Sequence, residues 1–500
     1  MLQDKFSFRT KFLEVARQGL VYGLGNVSQQ LIGFLLLLVY TSRLVPEEYG
    51  LLTMLLTINA LLGVLLGMGF STTLFRFFFG KQGETRKQVV STVLFWMMGI
   101  GGAAILVIWM TAGSISRLIF GTDQYALHVR LVSVTLALNL LQTIPLAVLR
   151  AQKRALHYAT LVVSLFLLGV LLNIYAVVVL EKGVLGILTA NAFTTLVYVM
   201  VGLFLCREFV GLAVSKQLLG EMLRYTLPLV PGAIGGYILQ RSDRWFLQQY
   251  ADLGVVGLYS LGYQFGNIVN VLVIHPFQLV WFPTALELRK KTEAKGFFER
   301  VLTYFVLIAC WVGLGISLFG KDVLYLMAKP DYFPAQSYIP WIVLAYIIFG
   351  SYYVVNMGIF MMDKTSYVIW ILGFASLANI VLNFLLIPPF GAIGAAVATL
   401  LSYFLLFLIA YVVNQQLFPL QYEWVRIVKI LAAFLILLAC GQWSFNYLLL
   451  SLAYKSVLMV AYWILLLMFG FYLPGEQLLM KETIRKFSRK AAVLFGHRVF

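Results

Sequence analysis

Charge is the first thing this chain lacks. Asp, Glu, Lys and Arg make up 11% of its 500 residues, less than half the ~25% of a typical soluble domain. With 61% of residues apolar, including 39 Phe, 27 Tyr and 10 Trp, too few polar groups remain to cover a water-soluble core. A bilayer accounts for such a composition, because a spanning helix needs about 20 apolar residues and no water-facing side. Disorder, collagen and coiled coil are excluded by the same figures. Cysteine is nearly absent: Cys206, Cys310 and Cys440 stand singly in or beside apolar stretches, which offers neither a disulfide framework nor a metal cluster. No His/Cys/Asp group has metal-ligand spacing, and no glycine-rich loop ends in Lys-Ser/Thr, so neither a metal centre nor an ATP motor is encoded. Long loops that could hold an active site are missing too; the longest, around 283–297, is short and basic. The N-terminal MLQDKFSFRTKFLEVARQG has no short apolar run with a small-residue cleavage site, so the first apolar segment is expected to be a true span.

What the sequence does have is a succession of apolar segments of spanning length. Fourteen can be walked off: 18–43, 51–79, 89–113, 125–149, 156–180, 184–206, 225–249, 255–283, 298–319, 338–362, 366–387, 391–414, 426–446 and 454–473. With the N-terminus in the cytoplasm, 28 of the 37 Lys and Arg fall on cytoplasmic segments and helix ends. That asymmetry places both termini inside. It also accounts for the net charge of +17, which in a soluble protein would point to nucleic acid. After the last span, Met480, Ile484, Phe487, Ala491 and Leu494 repeat at helical spacing among Lys481, Arg485, Arg489 and Lys490. A basic amphipathic helix on the anionic inner leaflet is expected there.

The chain also matches itself at a shift near 208. EYGLLTM aligns with VVGLYSL, placing Gly50 on Gly257; Lys153 falls near Lys364, Asn173 on Asn383, and GVLG (Gly183 to Gly186) on GAIG (Gly391 to Gly394). The shift covers six spans, an even number, so the two copies share one orientation and a pseudo-twofold axis runs along the membrane normal. The expected fold is an all-α polytopic membrane protein of about 14 transmembrane helices, two parallel-repeat six-helix lobes plus two C-terminal helices. The divisions are 1–17 (cytoplasmic amphipathic segment), 18–222 (N-lobe), 223–415 (C-lobe), 416–473 (extra pair) and 474–500 (basic tail). Two facing bundles with a path between them point to a transporter.

Polar side chains in a lipid environment are costly, so the faces they occupy are informative. Gln18, Tyr22, Asn26, Gln29 and Gly33 form one stripe on the first span, and Asn59, Gly63, Gly67 and Ser71 another on the second. On the seventh, Gly232, Gly236, Gln240 and Asp243 align, after Pro228 and Pro231. On the eighth, Tyr263, Asn267 and Asn270 share a face. Helix packing explains any one of these residues; their concentration in spans 1, 2, 7 and 8, which open each half, points to a lined path. Charges inside the spans are mainly cationic: Arg241, Asp243 and Arg244 high on the seventh, Arg76 near the inner end of the second, Arg43 and Arg130 near the outer side. Asp243 either neutralises an arginine or faces substrate. A cationic surplus facing a cavity suits a diphosphate, because guanidinium binds phosphate oxygens in bidentate fashion.

The runs TSRLVPEEYGLLTM and YTLPLVPG…RSDRWFL…VVGLYSLGYQ, with LRAQKR before the fifth span and GAIGAAVATLLSY in the twelfth, resemble the polysaccharide transporter branch of the multidrug/oligosaccharidyl-lipid/polysaccharide flippase superfamily. The resemblance covers most of residues 15–415. It implies a V-shaped pair of lobes that flips an undecaprenyl-diphosphate-linked oligosaccharide for O-antigen, capsule or exopolysaccharide synthesis. It also implies alternating access on a Na+ or H+ gradient, with no bound cofactor and no enzymatic activity. Arg241, Asp243 and Arg244 stand at the family's Asp-Arg position. The expected cavity residues are Arg241, Arg244, Asp243, Arg76, Asn26, Gln29, Gln240, Tyr263, Asn267 and Asn270. The chain departs from cation-coupled drug extruders in lacking membrane-embedded carboxylates in spans 1 and 7 other than Asp243. Drug extrusion remains the alternative transporter reading, and a membrane glycan polymerase or ligase the alternative from another class. Expected partners are the lipid-linked glycan, anionic inner-leaflet lipids, a polysaccharide polymerase and glycosyltransferases, in a bacterial inner membrane; nucleic acid is not among them.

Overall fold

The computed structural model describes residues 33, 36–79, 83–288, 295–443, 445 and 447–477. Among the described residues there are helices and turns and no strand, so the chain is an all-α membrane protein. Among the described residues ten helices are long and apolar enough to cross a bilayer. The longest, Ser366–Leu417, has 52 residues, or roughly 78 Å at 1.5 Å per residue, against about 30 Å of hydrocarbon. It bends into two crossings at Gly391 (φ 56°), just after Pro388 and Pro389, where the PPFG turn is expected from the sequence. Another helix, Val230–Tyr250, is of spanning length but carries Arg241, Asp243 and Arg244. The expected tail helix, like Asn26 and Gln29, lies outside the described residues.

The helices that matter for the site are α1 (Pro46–Gly67), α2 (Phe70–Phe79), α3 (Ala126–Ala151), α4 (Ala155–Ile174), α5 (Gly183–Leu205), α6 (Val230–Tyr250), α7 (Leu253–Val269), α8 (Ile339–Val355) and α9 (Ser366–Leu417). The second span, expected as one helix over 51–79, is a correction. It starts at Pro46 and breaks between α1 and α2, where Met68 (φ 46°) and Gly69 (φ 69°) are left-handed. Proline is favoured in a first turn because its missing N–H is unpaired there anyway, and the Glu48 carboxylate accepts from the Val45 N–H at 3.2 Å. Asp252 caps α7 in the reverse sense, as the N-cap residue accepting from the Val255 N–H at 2.9 Å.

These two capped ends cross each other at glycines. A Cβ on Gly50 would stand 1.8 Å from the Leu253 carbonyl oxygen, and one on Gly257 would stand 2.1 Å from the Pro46 carbonyl oxygen. The contacts are reciprocal: each glycine meets the carbonyl four residues ahead of the other, as a twofold relation requires. One turn further along, the Ser260 hydroxyl donates to Thr53 Oγ1 at 3.3 Å. Other matched positions behave alike. Lys153 and Asp363, the residue just before the expected match Lys364, share left-handed φ values of 57° and 55°, and Gly183 and Gly391 share 51° and 56°. Gly186 lies against the carbonyl of Ala176, and Gly394 against that of Leu386. The same end is tied a second time, since Lys329 donates its Nζ to the Arg43 carbonyl (2.9 Å) and its N–H to that of Thr41 (3.3 Å).

The C-terminal pair is fixed by charge. Lys455 on the Leu448–Met468 helix meets Asp322 of the Lys295–Met327 helix at 2.5 Å, with side chains 4% and 11% exposed, and Ser451 donates to the same carboxylate. Breaking a buried pair from one side leaves an uncompensated charge and costs about 3–5 kcal/mol. Lys455→Met is therefore expected to lower the melting temperature in detergent strongly, and Lys455→Met with Asp322→Leu to recover most of the loss.

The crossing has its own test. With Cys440 changed to Ser, a Thr53→Cys/Ser260→Cys pair is expected to oxidise readily, because the hydroxyls it replaces are in contact. Adding Gly257→Val should abolish the cross-link, read as maleimide-PEG labelling of the freed thiols.

Candidate functional site

Directly beneath the crossing lies a cavity of about 670 Å³. Its walls come from both halves of the chain: Gly33, Leu37 and Tyr40 of the first span, Tyr49, Leu52, Thr53 and Leu56 of α1, Gln240, Arg241 and Arg244 of α6, Ser260, Tyr263 and Asn267 of α7, and Tyr346 of α8. Six of the residues expected from sequence therefore share one space: Gln240, Arg241, Arg244, Tyr263, Asn267 and Asn270. Arg241 and Arg244 are one turn apart on α6, which presents both to the same side.

The three charges of α6 are arranged unequally. Asp243 is 2% exposed and does not line the cavity. Its carboxylate is engaged on two sides, accepting from Arg244 Nη1 at 3.0 Å and the Arg244 N–H at 2.9 Å, and from the Tyr259 hydroxyl at 2.5 Å. Arg244 is held against the ring of Tyr263, its guanidinium carbon 4.5 Å from the ring centre, and donates weakly to the Gln240 carbonyl at 3.4 Å. Its Nε has no hydrogen-bond partner among the described residues. Arg241 is half-buried and makes no ion pair among the described residues. Two guanidinium groups thus face the cavity, the nearby Asp243 carboxylate is committed to Arg244, and among the described residues no Asp or Glu lines the wall. The site carries a net cationic charge.

The amide wall is prepared by a backbone irregularity. Pro276 has no N–H to continue the α-helical ladder, and the turn before it, Asn270–Ile274, is a π-helix. Asn270 at its start donates to Asn267 Oδ1 at 3.1 Å.

Three expectations need correction or placement. Arg76 is not at the cavity; it is exposed on α2 with its guanidinium 4.2 Å over the Tyr225 ring. A cation near a helix end has a nearby aromatic face to satisfy it. Asp243 is a partner of Arg244 rather than a lining group, and Asn26 and Gln29 fall outside the described residues. Sequence reasoning also missed the tyrosines. Tyr40, Tyr49 and Tyr346 line the wall, and Tyr403 on α9 meets the Tyr263 hydroxyl at 3.4 Å. Their only sequence signal is the presence of a polar tip inside an apolar span, and 27 Tyr share the chain.

Residues 15–288, more than half of the chain, match the polysaccharide biosynthesis protein family. The chain belongs to that family. It is similar to Lsg locus putative protein 1 of Haemophilus influenzae, with 24% identity over 419 residues, covering 79% of this chain and 98% of that one. The fold is shared with the Lipid II flippase MurJ in an inward closed conformation (TM-score 0.72, 13% identity, 89% of this chain and 98% of that chain). It is also shared with an inward-facing multidrug resistance MATE family transporter of the MOP superfamily (TM-score 0.60, 15% identity, 79% and 93%). The family member therefore has the fold of flippases and transporters.

The two arginines separate by stability. Arg244→Ala strands Asp243 in a buried site and is expected to cost about 3–5 kcal/mol. Arg241→Ala removes a cation without an ion pair and should leave the melting temperature within a degree or two. Thermal unfolding of the purified protein in detergent checks both.

Proposed function

We propose that this protein flips an undecaprenyl-diphosphate-linked oligosaccharide from the cytoplasmic to the outer leaflet for surface polysaccharide synthesis. The observation that carries this function is the cavity between the two halves, whose wall among the described residues has two arginines and no carboxylate. A diphosphate brings the opposite charge and oxygens spaced for bidentate guanidinium contact. A cationic drug would meet like charge there, which disfavours extrusion of the usual cationic compounds. The polysaccharide biosynthesis family match and the fold shared with a Lipid II flippase support a lipid-linked glycan as cargo.

In this reading Arg241 captures the diphosphate, while Arg244 is held ready by Asp243 and the Tyr263 ring. The crossing at Gly50 and Gly257 closes the outer side, both termini lie in the cytoplasm, and transport proceeds as the lobes part there and close on the opposite side. The energy comes from an ion gradient. Asp243 is already engaged by Arg244 and Tyr259, so its carboxylate is not free to ligate a coupling ion. Glycosyltransferases upstream and a polymerase downstream supply and consume the cargo.

The test is complementation of a strain deleted for this protein. Arg241→Ala is expected to reduce surface polysaccharide at least about tenfold at wild-type protein level, with undecaprenyl-linked glycan accumulating in the cells, and Arg241→Lys to recover only part. Full export by Arg241→Ala and Arg241→Glu alike sinks the assignment.

A further inference from the structure

A second cavity, of about 750 Å³, is walled by the first half of the chain with Ala233 of α6 at its edge, and shares Tyr40 and Leu56 with the cationic one. Its size is within the ~300–1,000 Å³ of small-ligand sites. Its polar wall differs sharply in kind. Asn59 of α1, Asn139 and Gln142 of α3, Asn173 at the end of α4, and Asn191 and Thr195 of α5 converge on it, and among the described residues no charged one lines it. The stripe Asn59, Gly63, Gly67 and Ser71, read from the sequence as one face across α1 and α2, lines this space rather than the cationic one.

Amides and hydroxyls cost free energy when sequestered without partners, so such a wall calls for an occupant rich in donors and acceptors. A diphosphate would find no cation there, a cation no carboxylate, and an acyl chain would leave the amides unpaired. A neutral polyhydroxyl compound fits. Carboxamides offer a donor and an acceptor side by side, and apolar residues between them, such as Leu140, Leu165 and Phe166, suit the CH faces of sugar rings.

The pseudo-twofold relation sharpens the case. Asn173 and Asn383 are matched positions. In the second half, Asn383 is fully buried and closed into a network: it donates to Asn379 (3.0 Å) and Ser242 (3.3 Å), and Asn379 donates to Ser402 (3.1 Å). In the first half, Asn173 donates to Asn191 (3.0 Å) and accepts from Tyr40 (3.1 Å), and that network lines an open cavity. Asn139 has no hydrogen-bond partner among the described residues, although it is half-buried. Asn383 Oδ1 is left without a partner inside that packed network, whereas in the first half the spare carboxamide, Asn139, lines open space.

We propose that the carboxamide cavity of the first half is the glycan subsite, holding the first sugars while Arg241 and Arg244 hold the diphosphate. The proposal rests on the flippase reading above and adds where the sugar sits. Tyr40, which lines both cavities and donates to Asn173, stands at the junction between sugar and phosphate.

Binding to the purified full-length protein is measured with two probes, undecaprenyl diphosphate and GlcNAc-diphospho-undecaprenol. Wild type is expected to bind the GlcNAc-bearing lipid about tenfold tighter than the bare diphosphate, a difference worth one or two hydrogen bonds. Asn139→Leu with Gln142→Leu should erase that preference and leave bare-lipid binding unchanged, which also shows that the variant is folded. If the double variant loses both, Asn139→Ala takes its place, with the same loss of preference expected. Arg241→Ala should weaken both probes together. A wild type that binds both lipids equally, or a variant that keeps the preference, overturns the glycan subsite alone. A wild type that binds neither overturns the flippase reading itself.

Discussion

Everything in this structure hangs from a crossing of two helices at Gly50 and Gly257. Within a membrane, lipid tails are as apolar as leucine, so no hydrophobic drive pushes helices together and close backbone packing must serve instead. Hydrogen at both positions lets the backbone of α1 approach that of α7 until each glycine meets the other helix's carbonyl. The reciprocity makes this point the local twofold centre, and it is also where the two halves touch first. The cavity below exists because the helices meet here and diverge: Tyr49, Thr53 and Leu56 on one side, and Ser260, Tyr263 and Asn267 on the other, lie on successive turns leading away.

The same constraint explains where the charges lie. A guanidinium inside a span is expensive, and it persists in a protein-lined cavity better than against lipid. Arg244 is supported by three kinds of contact, a carboxylate, an aromatic face and a backbone carbonyl. That support fixes its position under the crossing at a cost that only a role at this place repays. Arg241 lacks an equivalent ion pair and so keeps its charge available to the cavity. Asp243 divides the two roles: by neutralising one arginine it leaves a site of single net charge rather than two mutually repelling cations.

How much of this was legible beforehand depended on whether a residue leaves a directional mark. Glycine does, because its use at matched positions reports close approach or a left-handed turn, and Gly50/Gly257, Gly183/Gly391 and Gly186/Gly394 could be paired from sequence. Helical spacing also carries direction, so the face of Tyr263, Asn267 and Asn270 was readable. It did not say which of two cavities a stripe faces, and the stripe on α1 and α2 turned out to face the uncharged one. Nor could spacing assign Asp243, since a carboxylate next in sequence to an arginine can equally pair with it or with a ligand. Arg76 was misplaced because its partner, the Tyr225 ring, comes from a segment 149 residues later. The tyrosines were invisible for a related reason: in an apolar span their rings look like packing until the hydroxyl's neighbours are known.

The repeat gave two halves the same scaffold, and their differences are therefore more telling than their likeness. At the matched asparagines one half ties its amides to one another, with Ser242 of α6 inserted between Asn379 and Asn383, and only the Asn383 Oδ1 lacks a partner among the described residues of that network. In the other half the amides of Asn139, Gln142, Asn173 and Asn191 line open space beside the arginines. A helix pair built only for rigidity would favour the sealed arrangement on both sides, because unsatisfied polar groups weaken a membrane bundle. The side with the open cavity lies next to the cationic one, with Tyr40 and Leu56 in both walls, and the Tyr40 hydroxyl, which donates to Asn173, places a polar group where the two meet. A molecule with a neutral hydroxyl-bearing part joined to an anionic part matches that sequence of surfaces. A molecule of one character alone matches only half of it.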